Sequence, residues 1–182
     1  MIKFSFKIFL LIPLFLGSPV WAGNIKLLAG GAEDVIGSPV SATRSNVSGT
    51  FDKFYRVDFP DTSDTCTVWH FKVFADYTNA AAVVPTIDFA QSVASASAFT
   101  IRMDLLCIDQ GVAYDSAYPT NATTWSITPA SSTTVQSQTN AVAGVLDETG
   151  CDKDDVWKLR VCRLNADANT GVFYAYDVDL NY

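Results

Sequence analysis

Apolar and polar residues alternate with period two along most of this chain, and that period sets the element type. Trp69, Phe71, Val73 and Ala75 alternate with Val68, His70 and Lys72. Phe99, Ile101, Met103 and Leu105 alternate with Thr100, Arg102 and Asp104, and Trp157, Leu159 and Val161 alternate with Lys158, Arg160 and Cys162. Successive side chains of a strand point to opposite faces, so each stretch predicts a strand with one core face and one outward face. The separation is least clean at the end, where Val172, Tyr174 and Tyr176 alternate with Phe173, Ala175 and Asp177. Shorter strands are predicted over 25–28, 54–59, 86–90, 124–128 and 133–139. Turn-prone clusters punctuate them at 60–64, 115–121 and 165–171. The alanine-dense stretch 79–84 is too short to nucleate a helix alone, and Pro85 follows it. The pattern predicts an all-β, antiparallel two-sheet jelly-roll sandwich of about eight strands. Its body spans 51–182, and a lead-in strand and extended segment occupy 23–50.

The first 22 residues do not fit that pattern. Lys3 and Lys7 precede an apolar run from Ile8 to Leu16, and Val20-Trp21-Ala22 follows. A charged start, a short apolar stretch and small residues at the processing positions predict a signal peptide cleaved before Gly23. The run falls short of the ~20 residues of a membrane span, and Pro13 interrupts it. The expected location is therefore secreted or periplasmic. Without Lys3 and Lys7, ten of the 12 cations remain against 19 carboxylates, a formal charge of −9. Such a chain repels phosphate backbones, which argues against a nucleic-acid partner.

Export changes the meaning of the four cysteines. An even count in an oxidising compartment predicts two disulfides, and sequence alone permits three pairings. In a jelly roll that sets the Cys66 strand beside 156–164, and 156–164 beside 99–108, all antiparallel, the pairs are Cys66–Cys162 and Cys107–Cys151. One histidine and no Cys-x-x-Cys pair disfavour structural zinc.

Certain motifs carry a resemblance. The Phe59-Pro60-Asp61 turn precedes the aromatic strand Thr67–Tyr77, and Leu159-Arg160-Val161-Cys162-Arg163 comes late. An Asp/Asn-rich hairpin then ends in Thr170-Gly171, and the last strand closes on Tyr182. Over 51–182 this resembles the small jelly-roll proteins of unknown function from phage and environmental bacteria. The resemblance implies a structural or binding module without enzymatic activity. The leader and the cysteines depart from that pattern and point away from a virion, toward the cell envelope or beyond.

Few side chains stand out as chemistry. Asp152, Asp154 and Asp155 form an acidic loop whose oxygens suit calcium, although the spacing is not that of an EF-hand. Trp125, Tyr114 and Tyr118 fall in or near loops, where aromatic rings can meet sugar rings, and they are the candidate ligand contacts. His70 reads as an ordinary outward residue, and Asp104 as a mid-strand acid paired with Arg102 or Arg160. No Gly-x-Ser-x-Gly elbow occurs, and nothing selects a glycosidase pair among the acids. The expectation is a non-catalytic structural or recognition module with a glycan or surface ligand, no membrane span after cleavage, and self-association open to it. The rival readings are an adhesin or pilus-type subunit, an outer-membrane barrel, and a glycan-active hydrolase.

Overall fold

The computed structural model describes residues 23–35, 40–48, 53–73, 77, 83–114, 116–118, 122–140, 146, 148 and 150–182. The leader and most of 79–84 lie outside the described residues. Among the described residues, eleven strands form two sheets packed face to face. The first sheet contains β1 (Asn24–Leu28), β3 (Thr43–Ser48), β4 (Lys53–Phe59), β6 (Val84–Gln91), β9 (Gln136–Thr139) and β11 (Phe173–Asn181). Its order is β3-β4-β11-β6-β9, with β1 also paired to β11. The second contains β2 (Val40–Ser41), β5 (Thr65–Phe71), β7 (Phe99–Ile108), β8 (Thr123–Ile127) and β10 (Val156–Arg163), in the order β2-β5-β10-β7-β8.

The strand count exceeds the expected eight or so because the stretch 23–50 is itself woven into both sheets. β1 runs antiparallel to β11, β3 runs antiparallel to β4, and β2 lies parallel to β5. Those strands are short or polar on both faces, so periodicity alone under-reports them. Two packed sheets replace the barrel reading.

The core lies between the sheets where the alternation predicts it. Phe99, Ile101, Met103 and Leu105 of β7 and Trp157, Leu159 and Val161 of β10 point inward. They meet Val57, Phe59, Ile87, Phe89, Phe173 and Val178 of the other sheet. β11 explains its own blurred pattern. Its pairing to β6 shifts register between Ala175 and Asp177, a bulge that reverses the parity of the strand. Phe173 and Ala175 are buried before it, and Val178 and Leu180 after it, so Tyr174 and Tyr176 face outward.

Cys66 is bonded to Cys162, its directly opposed partner across β5 and β10. Cys107 at the end of β7 is bonded to Cys151 in the loop before β10. Two disulfides suit an extracytoplasmic compartment. One end of the core is plugged by polar side chains rather than apolar ones. Arg163 is fully buried and Gln91 nearly so. The Gln91 amide donates to the carbonyls of Ser95, Ala130 and Ser132 at 2.8–3.0 Å.

Candidate functional site

The outward face of the second sheet carries three cross-strand rows set by register. Cys66, Cys162 and Arg102 form the first, Val68, Arg160 and Asp104 the second, and His70, Lys158 and Leu106 the third. Two segments rise around the last two rows. On one side, Glu33 bridges backbone to backbone with Val68, donating at 2.8 Å and accepting at 3.2 Å. On the other, the loop after β7 folds back and lays Tyr114, Ser116 and Tyr118 over the strands. The result is a cleft of about 440 Å³ with Glu33 and Asp34 as one lip and the two tyrosines as the other.

The floor of this cleft is polar and buried. Asp104 is 3% exposed and accepts from Arg160 Nε at 2.8 Å, with Arg102 Nε at 3.4 Å. The expected pairing of Asp104 is therefore present with both arginines, but beneath a cover rather than in open solvent. The Tyr118 ring lies 4.0 Å from the Arg160 guanidinium carbon. Lys158 is 8% exposed, and its ammonium lies 5.1 Å from the Tyr114 ring and 5.7 Å from that of Tyr118. It donates to the Tyr114 carbonyl at 3.3 Å. His70 Nδ1 sits 3.0 Å from Glu33 Oε1, and its ring lies 5.1 Å from that of Tyr114. So His70 is not an ordinary outward residue but part of the cleft wall.

Three polar atoms in this wall are buried without a hydrogen-bond partner, Tyr118 Oη and both ring nitrogens of His70. Burial pushes the Tyr118 phenol up to about 12, opposed in part by Arg160 and reinforced by Asp104 and Tyr114. Burial and the nearby Glu33 raise Tyr114 as well. Both phenols therefore keep their protons at neutral pH and can donate.

Of the residues singled out from sequence, Tyr114 and Tyr118 come together here. Trp125 does not join them. It is 5% exposed, on the inward face of β8 opposite Ile101, and belongs to the core. The strand expected over 124–128 is present as Thr123–Ile127, and Trp125 takes its inward face rather than a loop. Nor do Asp152, Asp154 and Asp155 converge. The Asp155 carboxylate accepts from the Asp152 backbone N–H at 2.8 Å, closing its own turn, and Trp157 Nε1 donates to the Asp152 carbonyl at 3.0 Å. Burial raises the Asp155 carboxyl, with Asp109 adding to the rise. That acid stabilises a turn, which is a different task from gathering ligand oxygens.

The acids that do converge among the described residues are Asp88, Asp177 and Asp179, on the outer face of the first sheet. A cation is already present there, with Lys26 Nζ 3.1 Å from Asp177 and 3.6 Å from Asp179. Burial raises the Asp177 carboxyl, Lys26 opposes that, and Asp88 and Asp179 add to it. A carboxyl raised on folding weakens the fold once it ionises; the penalty is absent below the unfolded value of 3.8 and complete above the folded one. Asp88→Asn is therefore expected to raise the melting temperature by about 2 °C at pH 7, an exposed-pair effect below about 1 kcal/mol. Melts near pH 3 should show no gain.

The same outer face holds an apolar cleft of about 510 Å³ between Leu28, Gly30, Phe54, Tyr55, Val135 and Tyr176. The rings of Phe54 and Tyr176 lie 5.7 Å apart there. Arg56 stacks beside them, 3.7 Å from the Tyr174 ring.

No protein-family model matches the chain, and neither does any curated protein sequence. The phage-like resemblance thus has no family model behind it. Among solved structures, the chain is similar to the CBM36-1 domain of a multidomain xylanase from the hindgut metagenome of Trinervitermes trinervoides. That match has 9% identity and a TM-score of 0.47, and covers 87% of this chain and 96% of that one. It is also similar to a carbohydrate-binding module CBM36 in complex with calcium and xylotriose, at 17% identity and a TM-score of 0.45, over 86% and 98%. A third is the family 11 carbohydrate-binding module from Clostridium thermocellum in complex with a mixed-linked tetrasaccharide, at 18% and 0.42, over 91% of each chain. At such identities and scores this is a likeness of sandwich architecture, and the chemistry of the site has to be read from its own side chains.

Proposed function

We propose that this chain is an extracytoplasmic, non-catalytic glycan-binding module on a jelly-roll sandwich, and that the glycan lies in the tyrosine-lipped cleft on the second sheet. One observation carries the reading. Tyr114, 55% exposed, and Tyr118 line one cleft with Lys158 and Arg160, and Tyr118 Oη and the His70 ring nitrogens are left without hydrogen-bond partners in its wall. A sugar ring offers an apolar face to an aromatic side chain and hydroxyls to fixed polar groups, so such a cleft can satisfy both at once. Binding requires neither a metal nor a nucleophile. Of the carboxylates present, Asp104 is held by two arginines, and Glu33 Oε1 lies 3.0 Å from His70 Nδ1.

A glycan array probed with the mature, disulfide-intact protein tests the proposal. Wild type is expected to bind at least one glycan class. Tyr118→Ala should weaken that binding about tenfold, the loss of one good aromatic contact. Tyr55→Ala, in the apolar cleft on the opposite face, should leave it unchanged. Binding lost on Tyr55→Ala and kept on Tyr118→Ala would move the site to the other sheet. A second reading rests on that same apolar cleft. Leu28, Tyr55 and Val135 are exposed around it, and a patch of this kind suits self-association or assembly, as an adhesin or pilus-type subunit requires. Sedimentation of the mature chain as a monomer at high concentration would count against self-association through it.

A further inference from the structure

The cleft floor has an imbalance of charge. Three cations, Arg102, Lys158 and Arg160, stand on the sheet face, and Asp104 answers both arginines. Lys158 has no ion-pair partner among the described residues. Its ammonium has the Tyr114 carbonyl at 3.3 Å and the faces of two tyrosines. A lysine 92% removed from solvent that lacks a carboxylate is costly to bury, and such a charge is ordinarily paired. Glu33 and Asp34 line the same cleft but form no ion pair with Lys158. Glu33 faces His70 Nδ1, and Asp34 Oδ1 accepts from Ser41 Oγ at 3.1 Å. Asp115 lies outside the described residues.

From this we infer that the ligand of the proposed cleft is an acidic sugar, with a uronate carboxylate seated on Lys158. The inference rests on the glycan-binding reading and narrows it to a chemical class. The carboxylate supplies the missing counter-charge. It also supplies an acceptor for the buried Tyr118 Oη–H in the same cleft. A charge-assisted hydrogen bond inside a cleft is stronger than one to a neutral hydroxyl, so the acidic sugar is selected over its neutral isostere. Tyr114 and Tyr118 flank the ammonium and hold it in place, so the site is organised before the ligand arrives.

The test compares oligogalacturonate and oligomannuronate with neutral xylo-, gluco- and manno-oligosaccharides by calorimetry, on the mature protein with both disulfides formed. Acidic oligosaccharides are expected to bind at least tenfold more tightly than neutral ones. That binding should weaken as salt rises from about 20 to about 500 mM, because the Debye length shrinks. Lys158→Gln should abolish the preference, a loss of tenfold or more, without lowering the melting temperature, since it removes a buried unpaired charge. Lys158→Arg should keep part of the preference. Stronger binding of neutral oligosaccharides that Lys158→Gln leaves intact would overturn the acidic-ligand inference while sparing the cleft. Absence of binding to every glycan would overturn the reading beneath it. A Lys158→Gln variant that melts well below wild type would assign the lysine to structure instead, and a matching drop for Lys158→Met would establish that role independently of ligand.

Discussion

Replacing Arg163 with methionine is expected to cost about 3–5 kcal/mol of folding free energy, the usual range for stranding one partner of a buried ion pair. The guanidinium is fully buried, and both its Nε and Nη2 donate to Asp167 at 2.9 Å. It also donates to the carbonyls of Phe59, Gly171 and Asn169. Its carbon lies 4.8 Å from the Phe99 ring, above the aromatic cluster of Phe59, Phe89, Phe99 and Phe173. Methionine fills most of the volume but leaves Asp167 without its cation and removes a donor from three carbonyls. Asp167 itself holds the backbone N–H groups of Thr100 and Asn169, so the whole 164–172 hairpin is tied to this one cation. Arg163→Met with Asp167→Leu should recover only part of the loss, because the carbonyls stay bare. Urea midpoints of the two single variants and the double variant measure this directly. A loss below about 1 kcal/mol for Arg163→Met would show that water reaches the hairpin and replaces the arginine.

Removing the Cys66–Cys162 disulfide by paired alanine substitution should cost about 4–5 kcal/mol. The crosslink closes a loop of 96 residues, and long loops restrict the unfolded chain most. The Cys107–Cys151 crosslink closes 44 residues, so its removal should cost less by about 0.7 kcal/mol. The location of the bridges strengthens the ranking. Cys66 and Cys162 face each other within the β5–β10 ladder, with Arg102 Nη2 3.6 Å from the Cys162 sulfur. Cys107 and Cys151 join a strand end to a loop. Chemical unfolding of the two double-alanine variants under oxidising conditions checks the order. A greater loss from the Cys107–Cys151 variant would mean that the loop before β10, and not the ladder, sets the stability.

The strands that could be read from sequence are those with one apolar face. β4, β5, β7 and β10 follow from alternation alone, because each buries a row of large side chains against the opposite sheet. β2 and β3 could not be read that way, since Thr43–Ser48 is polar on both faces and is held by its ladder with β4. The bulge in β11 has a signal in hindsight, because apolar residues stand at 173 and 175 and then at 178 and 180. Arg163 had a signal too. It continues the inward row of Trp157, Leu159 and Val161, and a cation in that place calls for a buried acid.

The cleft was legible only in part. Tyr114 and Tyr118 were reachable as loop aromatics. Lys158 and His70 were not, because each looks like any outward residue until the register sets them side by side. The disulfide would have supplied it: once Cys66 faces Cys162, four residues along one strand and four back along the other bring His70 to Lys158. Glu33 was beyond reach, since its place depends on a single backbone bridge to Val68. Trp125 lies within a strand expected from sequence, but five residues with only Trp125 and Ile127 apolar gave too short an alternation to show that its face is the inward one.

Ligand-induced amide shifts, mapped on the isotope-labelled mature protein with the glycan that binds best, test the location of the site most directly. The predicted result is a cluster of shifts at Val68–His70, Lys158–Arg160 and the Tyr114–Tyr118 loop, with β4 and Tyr176 unmoved. Shifts gathered instead at Leu28, Phe54, Tyr55 and Tyr176 would place the ligand on the opposite sheet and contradict the account.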